Sequence, residues 1–204
     1  MFVIGLTGGI GTGKSEASQI LGELGAVIVD ADKVAHEVYE PGSAGWREVV
    51  NTFGEGVLDG EGRIDRKRLA DIVFADERAL EKLNSIVHPK VRQLLDERIS
   101  ELKRQGVEVV VVEVPLLIEA IRQEARWTQM LDEIWVVVAH EDQVVERVRA
   151  RSGLEEAAIR SRINSQTTQE ERIAYADIVI DNSGSLVGLR RQVAKLWHER
   201  VPHS

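Results

Sequence analysis

One stretch of the chain has the residue types and spacing of a phosphate-binding loop. Residues 8–15 read Gly-Gly-Ile-Gly-Thr-Gly-Lys-Ser, which satisfies the pattern G-x-x-x-x-G-K-S. Such a loop wraps a phosphate chain with consecutive backbone N–H groups, and glycines are needed because side chains would block that approach. The chemistry expected here is the binding of a nucleoside triphosphate. The residues predicted to contact it are Gly9, Gly11, Thr12, Gly13, Lys14, Ser15 and Glu16.

Two side chains of this stretch bring a positive charge and a metal ligand to the phosphates. Lys14 is expected to reach the β- and γ-phosphates, and the Ser15 hydroxyl to bind Mg²⁺. The following helix directs the positive end of its dipole at the anion. A glycine-rich turn without a ligand is the alternative. An apolar strand pattern in residues 2–7 and helical spacing of apolar residues in 17–24 argue against that alternative.

Acidic residues follow two further strand-like segments. Asp30 and Asp32 come after the second apolar run, and Glu113 lies at the end of the third. Open α/β sheets keep their ligands at the carboxyl ends of the strands, so these carboxylates are expected near the loop. Glu113 is a candidate to face Mg²⁺ through water, and Asp30 to support the loop or a metal-bound water. The alternative to a functional role for Asp32 is that it is the N-cap of a helix that begins at Lys33.

The elements that position these residues follow a βα alternation. The predicted fold class is α/β, with a doubly wound sheet of five parallel strands. The strands are predicted at residues 2–7, 26–29, 109–114, 133–138 and 177–181. The third run is β-branched on both faces, which predicts a strand buried by helices on each side and places it at the centre of the sheet.

A long helical excursion interrupts the alternation. We predict one domain with a core at residues 1–35, 106–150 and 176–204, and with a helical lobe at about 36–105 that receives a second substrate. The segment of about 151–175 is polar and charged, with few core residues, and is predicted to be a lid.

Composition excludes several classes of function. The chain has 204 residues and a net charge of −8, and its longest basic run is 66–68, so a nucleic-acid partner is not expected. It has no cysteine, which rules out disulfides and thiolate catalysis and fits the cytoplasm as the expected compartment. The apolar segment 107–118 is too short to span a bilayer, so no membrane association is expected. We expect a monomer or a small homo-oligomer.

The phosphate-binding loop does not by itself define the protein class. The guanine-reading motif N-K-x-D of GTP switch proteins does not occur in the sequence, and the D-x-x-G match at 59–62 lies in a turn before the third strand. Five blocks instead resemble the dephospho-coenzyme A kinase family in order and spacing, over residues 2 to about 193. The blocks are Thr7–Ser15, Asp30–Asp32, His88-Pro89, Val114–Glu119 and Ile180–Gly184.

The resemblance implies an enzyme of three parts, namely a P-loop core, a helical lobe for dephospho-coenzyme A and a mobile lid over ATP. The sheet would be of P-loop kinase type, in its nucleoside-monophosphate-kinase-like variant. The implied reaction moves the γ-phosphoryl of ATP onto the ribose 3′-hydroxyl of 3′-dephospho-coenzyme A with the help of Mg²⁺, which makes coenzyme A and ADP. The implied catalytic residues are Lys14, Asp32 and Arg147, and Asp32 would accept the hydroxyl proton or orient the hydroxyl.

The resemblance also places arginines at the entrance to the lid. Arg147 and Arg151 lie four residues apart and share a helix face, whereas Arg149 does not share it. One of the two guanidinium groups would stack on adenine or bridge phosphates. Arg162 and Gln166 are further candidates along the lid. For any single arginine the alternative is a solvated face that pairs with neighbouring glutamates.

The remaining implied contacts involve both substrates. Asn182 would contact ATP, and His88, Leu116 and Leu117 would contact the acceptor together with Asp32. A structural hydrogen bond is the alternative for His88, which precedes Pro89. This proline is expected to kink or interrupt its helix.

One position departs from the family pattern. The Lys-Ser pair is usually followed there by a second hydroxyl residue that helps to hold the α-phosphate, and Glu16 stands in that place. Its backbone N–H can still donate, but its carboxylate must turn away from the phosphates, so a lower ATP affinity or a changed nucleotide choice is expected. Two alternative functions remain open, namely another small-molecule or nucleotide kinase of this architecture, and a nucleotide-binding switch protein.

Overall fold

Five strands form one sheet in the computed structural model, which describes residues 1–202. The strands are β1 (Phe2–Gly8), β2 (Val27–Asp30), β3 (Val109–Glu113), β4 (Glu133–Val138) and β5 (Ile178–Asp181). Their order is β2-β3-β1-β4-β5, and every pairing is parallel. The predicted fold class is therefore confirmed.

The predicted centre of the sheet is wrong. The central strand is β1, and β3 lies between β1 and β2. All five residues of β3 are buried, because the strand has a neighbour on each side and helices above and below it. A run that is apolar on both faces therefore identifies an interior strand but not the middle one.

Ten α-helices and two 3-10 helices accompany the strands over the described residues, and the last helix follows β5. The α-helices are α1 (Lys14–Glu23), α2 (Ala31–Glu37), α3 (Ala44–Phe53), α4 (Arg66–Ala75), α5 (Glu77–Arg104), α6 (Leu117–Arg122), α7 (Glu141–Ser152), α8 (Glu156–Asn164), α9 (Gln169–Ile173) and α10 (Leu186–Arg200). The 3-10 helices are Glu55–Val57 and Arg126–Met130. Within residues 1–202, no helix is long and apolar enough to cross a membrane.

The chain divides into two compact units. The first comprises Met1–Asp30 and the chain from Ile99 onward. Alternate residues of β1 pack with α1 and α10 in one apolar cluster, which includes Ile4, Leu21 and Trp197. Gly5 faces the other side of the sheet, where a Cβ on it would meet Leu117 of α6. Helices thus cover both faces of the sheet, as in a doubly wound fold.

The second unit, Ala31–Arg98, is helical and has its own apolar cluster, which includes Val49, Leu69 and Val87. Ser43 and Asp65 cap α3 and α4 with their side chains, as their residue types predict. The bounds that the sequence predicted for a helical lobe, 36–105, remain a prediction.

The helix around Pro89 is not interrupted, contrary to one of the two expected outcomes. α5 continues through the proline for 28 residues. Proline lacks one backbone N–H, and the other hydrogen bonds of a long helix that packs on the core of its unit hold the helix together across this position.

Candidate active site

The loop between β1 and α1 requires glycine at two positions. Gly13 precedes α1 with φ 93° and ψ 26°, a left-handed conformation, and a Cβ there would lie 2.0 Å from Nδ2 of Asn182. Gly11 has φ 72°, and its Cβ would lie 2.7 Å from Val148 Cγ2. Both the backbone conformation and the lack of space therefore disfavour a side chain at these two positions.

Hydrogen bonds fix the shape of this loop. The Thr12 hydroxyl donates to the carbonyl of Gly9 at 2.9 Å, and the Thr12 N–H donates to the same carbonyl at 3.3 Å. Asn182, which directly follows β5, donates from Nδ2 to the Thr12 carbonyl at 2.9 Å. The Gly9 and Thr12 carbonyls are therefore both engaged within the protein, and these hydrogen bonds hold the loop in one conformation.

Three predicted residues converge where the loop meets β3. The Lys14 ammonium donates to Oε1 of Glu113 at 2.5 Å, and the Ser15 hydroxyl donates to the same oxygen at 3.2 Å. Glu113 is 8% exposed. Strand register places it beside Leu6 of β1 and Asp30 of β2, so the two carboxyl-terminal acidic residues lie next to each other on adjacent strands.

This donor set fits Mg²⁺ in its chemistry. A hydroxyl and a carboxylate are hard oxygen ligands, and Mg²⁺ is usually held by one or two such groups together with waters and substrate phosphates. No cluster of three or more His, Cys, Asp or Glu residues that could hold a metal occurs in residues 1–202. The Ser15 hydroxyl, and through water the Glu113 carboxylate, could therefore contribute oxygen ligands to Mg²⁺ here.

The segment after β5 is held by α7. Arg147 donates from Nη2 to the Asn182 carbonyl at 2.8 Å, and Gln143 donates from Nε2 to the Ser183 carbonyl at 2.8 Å. The second nitrogen, Nη1 of Arg147, is buried and has no hydrogen-bond partner within the described chain. Hydrogen bonds from the Ser183 hydroxyl and N–H lower the pKa of Asp181. Arg147 thus contacts the residue that fixes the loop at Thr12.

Several other predicted residues lie apart from this cluster. Arg151 is exposed in the last turn of α7, and Arg162 is exposed on α8. Leu117 is fully buried under the sheet, whereas Leu116 is 51% exposed at the start of α6.

Two predicted residues belong to the helical unit. α2 begins at Ala31, so Asp32 lies inside its first turn and does not precede a helix that begins at Lys33. His88 is half-buried in α5, where burial, and to a lesser extent the nearby Arg92, lowers the pKa of its imidazole.

A further polar contact to the loop comes from the segment between α8 and α9. Oε1 of Gln166 accepts a hydrogen bond from the Ile10 N–H at 3.0 Å and one from Arg172 Nη2 at 3.5 Å. Arg172 is 6% exposed. Gln166 was among the predicted residues, whereas Arg172 was not. No pattern in this polar segment distinguishes Arg172 from the exposed Arg162, because only the folded chain reveals which arginine is buried.

Comparison with known proteins gives one consistent result. The family model for dephospho-CoA kinase matches residues 2–188. A curated dephospho-CoA kinase of Geobacter sulfurreducens is 45% identical over 202 residues, which cover 99% of this chain and 100% of the relative. A dephospho-CoA kinase of Thermobifida fusca is 47% identical over 204 residues, covering 98% and 96%. The solved structure of the dephospho-CoA kinase from Campylobacter jejuni matches with a TM-score of 0.75 at 28% identity, covering 98% of this chain and 96% of that chain.

Proposed function

Because this chain belongs to the dephospho-CoA kinase family, we propose that it transfers the γ-phosphoryl group of ATP to the ribose 3′-hydroxyl of 3′-dephospho-CoA and so makes coenzyme A and ADP. It is an ATP-dependent phosphotransferase with an alcohol acceptor. The observation that carries the proposal is the full-length match to curated dephospho-CoA kinases. The convergence of Lys14, Ser15 and Glu113 at the phosphate-binding loop supports it independently.

In the transfer, one P–O bond forms and one breaks. The 3′-oxygen of the acceptor forms a bond to the γ-phosphorus, and the bond from that phosphorus to the β,γ-bridging oxygen breaks, so the bonding electrons leave with ADP. The hydroxyl proton passes to a base or to solvent. Such a reaction needs positioned groups and neutralised charge more than covalent chemistry from the protein.

On the ATP side, we assign the phosphate contacts to the loop residues and to the side chain of Lys14. The residues are Gly9, Gly11, Thr12, Gly13, Lys14, Ser15 and Glu16. The Lys14 ammonium, which contacts Glu113, has three N–H donors and is proposed to bind oxygens of the β- and γ-phosphates with the donors that Glu113 does not use. When bound, Mg²⁺ neutralises phosphate charge, and Ser15 and, through water, Glu113 are the residues proposed to hold it.

The nucleoside end of ATP is assigned to the segment after β5. Asn182 fixes the loop at Thr12, and Arg147 in turn binds the Asn182 carbonyl. We propose that Arg147 contacts the nucleotide from this position, and that Arg151, which is exposed, reaches it only when the lid at about 151–175 closes.

On the acceptor side, we propose that the helical unit receives dephospho-CoA, through Asp32 and His88. Asp32 follows the carboxyl end of β2 by two residues, which is where parallel sheets place ligand-binding groups. Its proposed role is to orient the hydroxyl or to accept its proton. Leu116 is proposed to contact the acceptor through its exposed side chain, whereas the buried Leu117 would support this segment from the core.

The cytoplasm is the proposed compartment, which agrees with a chain that has no cysteine. The proposed partners are ATP and 3′-dephospho-CoA alone, and the proposed assembly is a monomer or a small homo-oligomer. Light scattering coupled to size-exclusion chromatography measures this directly.

An acceptor panel tests the proposed function. ADP release is measured with Mg²⁺-ATP and, in turn, dephospho-CoA, adenosine, AMP, GMP and shikimate, and the product is identified by mass spectrometry. We expect turnover with dephospho-CoA and a product heavier by one phosphate. Turnover with a different acceptor would identify another kinase of this architecture, and ADP release that no acceptor stimulates would identify a nucleotide-dependent switch.

A further inference from the structure

Arg172 is a buried cation beside the phosphate-binding loop. Its side chain belongs to α9, and the residue is 6% exposed. Nη1 lies 3.3 Å from the position that a Cβ on Gly9 would occupy, and Nη2 lies 3.5 Å from Oε1 of Gln166. The guanidinium therefore lies against the first half of the loop.

The charge of Arg172 is only weakly compensated. Glu171 accepts hydrogen bonds from Arg122 at 3.1 Å and from the Thr168 N–H at 3.0 Å, and Glu119 accepts one from the Thr167 hydroxyl. Within residues 1–202, no carboxylate forms an ion pair with Arg172. Burial accordingly lowers the pKa of the Arg172 guanidinium more than these two carboxylates raise it. A buried charge without a close partner is costly, so an anion at this position would stabilise the protein.

The oxygen of Gln166 marks where such an anion would bind. Two donors converge on Oε1, namely the Ile10 N–H at 3.0 Å and Arg172 at 3.5 Å. A neutral amide oxygen is a weaker partner for a guanidinium than an anionic oxygen is. A cavity of about 290 Å³ opens at the same place and is lined by Gly9, Ile10, Gln166 and Arg172 among others. The two donors on this amide oxygen thus face a cavity from which an anionic oxygen could reach them.

We propose that Arg172 binds an oxygen of the γ-phosphoryl group of ATP, in the position that the Gln166 amide oxygen occupies in the absence of nucleotide. This inference rests on the proposed function, which places the nucleoside end of ATP near Asn182. Asn182 meets the loop at Thr12, whereas Gln166 and Arg172 meet it at Ile10 and Gly9, so they face the other end of the phosphate chain.

Arg172 then stabilises the negative charge that is redistributed over the phosphoryl oxygens and the leaving ADP during transfer. It forms no covalent bond and exchanges no proton, because the guanidinium is always protonated. In the nucleotide-free enzyme, the hydrogen bond between Gln166 and the Ile10 N–H positions the lid. When ATP binds, the Gln166 side chain leaves this position. Arg172 is thus a catalytic residue, and Gln166 is a positioning residue.

The test compares ATP with ADP, because only ATP carries the γ-phosphoryl group. Calorimetric titration of both nucleotides into Arg172→Ala should show ATP affinity lowered by about tenfold or more, as expected for one lost charged contact, and ADP affinity changed by less than about twofold. Turnover should fall by about 10² to 10³. Arg172→Lys should recover part of the ATP affinity but little of the turnover, because an ammonium lacks the planar fork of donors.

Arg149→Ala is the matched control, since it removes an exposed arginine from α7 and should change neither affinity nor turnover. Equal losses for ATP and ADP, or normal turnover in Arg172→Ala, would overturn the proposal. If thermal unfolding shows that Arg172→Ala is not folded, the same comparison in Arg172→Lys decides. A wild-type protein without activity on dephospho-CoA would refute the proposed function, whereas the comparison of ATP with ADP would still test the contact of Arg172.

Discussion

The Lys14 ammonium and the Ser15 hydroxyl donate to the same oxygen of Glu113, at 2.5 Å and 3.2 Å. One carboxylate oxygen therefore holds the two side chains that are proposed to act on the phosphates and on Mg²⁺. The pair of Lys14 and Glu113 is nearly buried, with side-chain exposures of 13% and 10%, so each charge depends on the other in the absence of nucleotide. In the proposed function, Lys14 contacts the phosphates and Ser15 contacts Mg²⁺ when the nucleotide is bound.

Replacement of Lys14 should chiefly affect transfer. Lys14→Ala should lower turnover by about a hundredfold or more, because it removes a donor to the charge that grows on the phosphates, a loss of about 2.7 to 4 kcal/mol. ATP affinity should also fall. Steady-state rates and calorimetry measure both effects, and Lys195→Ala, which removes an exposed lysine from α10, is the control. A fall in affinity with unchanged turnover would limit Lys14 to ground-state binding.

Asp32 should respond differently from Lys14. Asp32→Asn keeps the shape of the side chain but removes the proton acceptor, so turnover should fall by about 10² to 10⁴, with ATP affinity nearly unchanged. The same two measurements apply. Asp71→Asn, on the exposed side of α4, is the matched control. Near-normal turnover in Asp32→Asn would exclude it as the base.

Glu113 should determine how much Mg²⁺ the enzyme needs. Glu113→Gln retains the shape but loses the charge that would attract Mg²⁺ through water, so half-maximal activity should require a higher Mg²⁺ concentration at saturating ATP. A titration of activity against Mg²⁺ measures this. An unchanged Mg²⁺ requirement would leave Glu113 as a partner of Lys14 alone.

Glu16 should limit ATP affinity. It lies in the first turn of α1, where a negative charge interacts favourably with the helix dipole but repels the phosphates of ATP. Glu16→Thr should therefore bind ATP more tightly, and Glu16→Gln separates the effect of the charge from that of a new hydroxyl. Calorimetry at two salt concentrations checks both variants, since a charge effect weakens as salt rises. Equal affinity in all three proteins would contradict this prediction.

His88 should make stability depend on pH. Burial lowers the pKa of its imidazole, so the native state binds the proton less readily than the unfolded chain does. The unfolded state then holds more protons over the interval between the lowered native pKa and the ordinary value of about 6.5, so stability rises with pH across this interval and is lost on acidification. Denaturant unfolding from about pH 5 to 8 should show this rise in wild-type protein and a smaller one in His88→Gln. Parallel curves for both proteins would mean that His88 is not responsible.

The sequence predicted the elements of the site better than their contacts. The loop at residues 8–15 and the runs that became five strands follow from periodicity and glycine spacing, which local physics largely determines. The central strand was not predicted correctly, because β1 and β3 have similar apolar patterns and only pairing distinguishes them.

The contacts that sequence analysis did not find are long-range. Arg172 and Gln166 contact the loop although they lie more than 150 residues from it in the sequence. Nothing in the sequence around them indicates this contact. Glu113 was predicted to face Mg²⁺ through water, but its contact with Lys14 depends on the register between β1 and β3. Side-chain partners of this kind are set by tertiary packing and not by local pattern.

The central place of β1 determines when the nucleotide site can exist during folding. This first strand pairs with β3 and β4, so residues 9–108 must be synthesised before either neighbour emerges, and the loop has no sheet to support it until then. Pairings of such long sequence separation form late and slowly. We therefore expect the loop to bind ATP only after β1 has paired with β3 and β4. By mass action, ATP at a hundred times its Kd would add about 2.7 kcal/mol to the stability of the assembled state. Bound nucleotide would therefore favour the completely folded chain over partly folded ones.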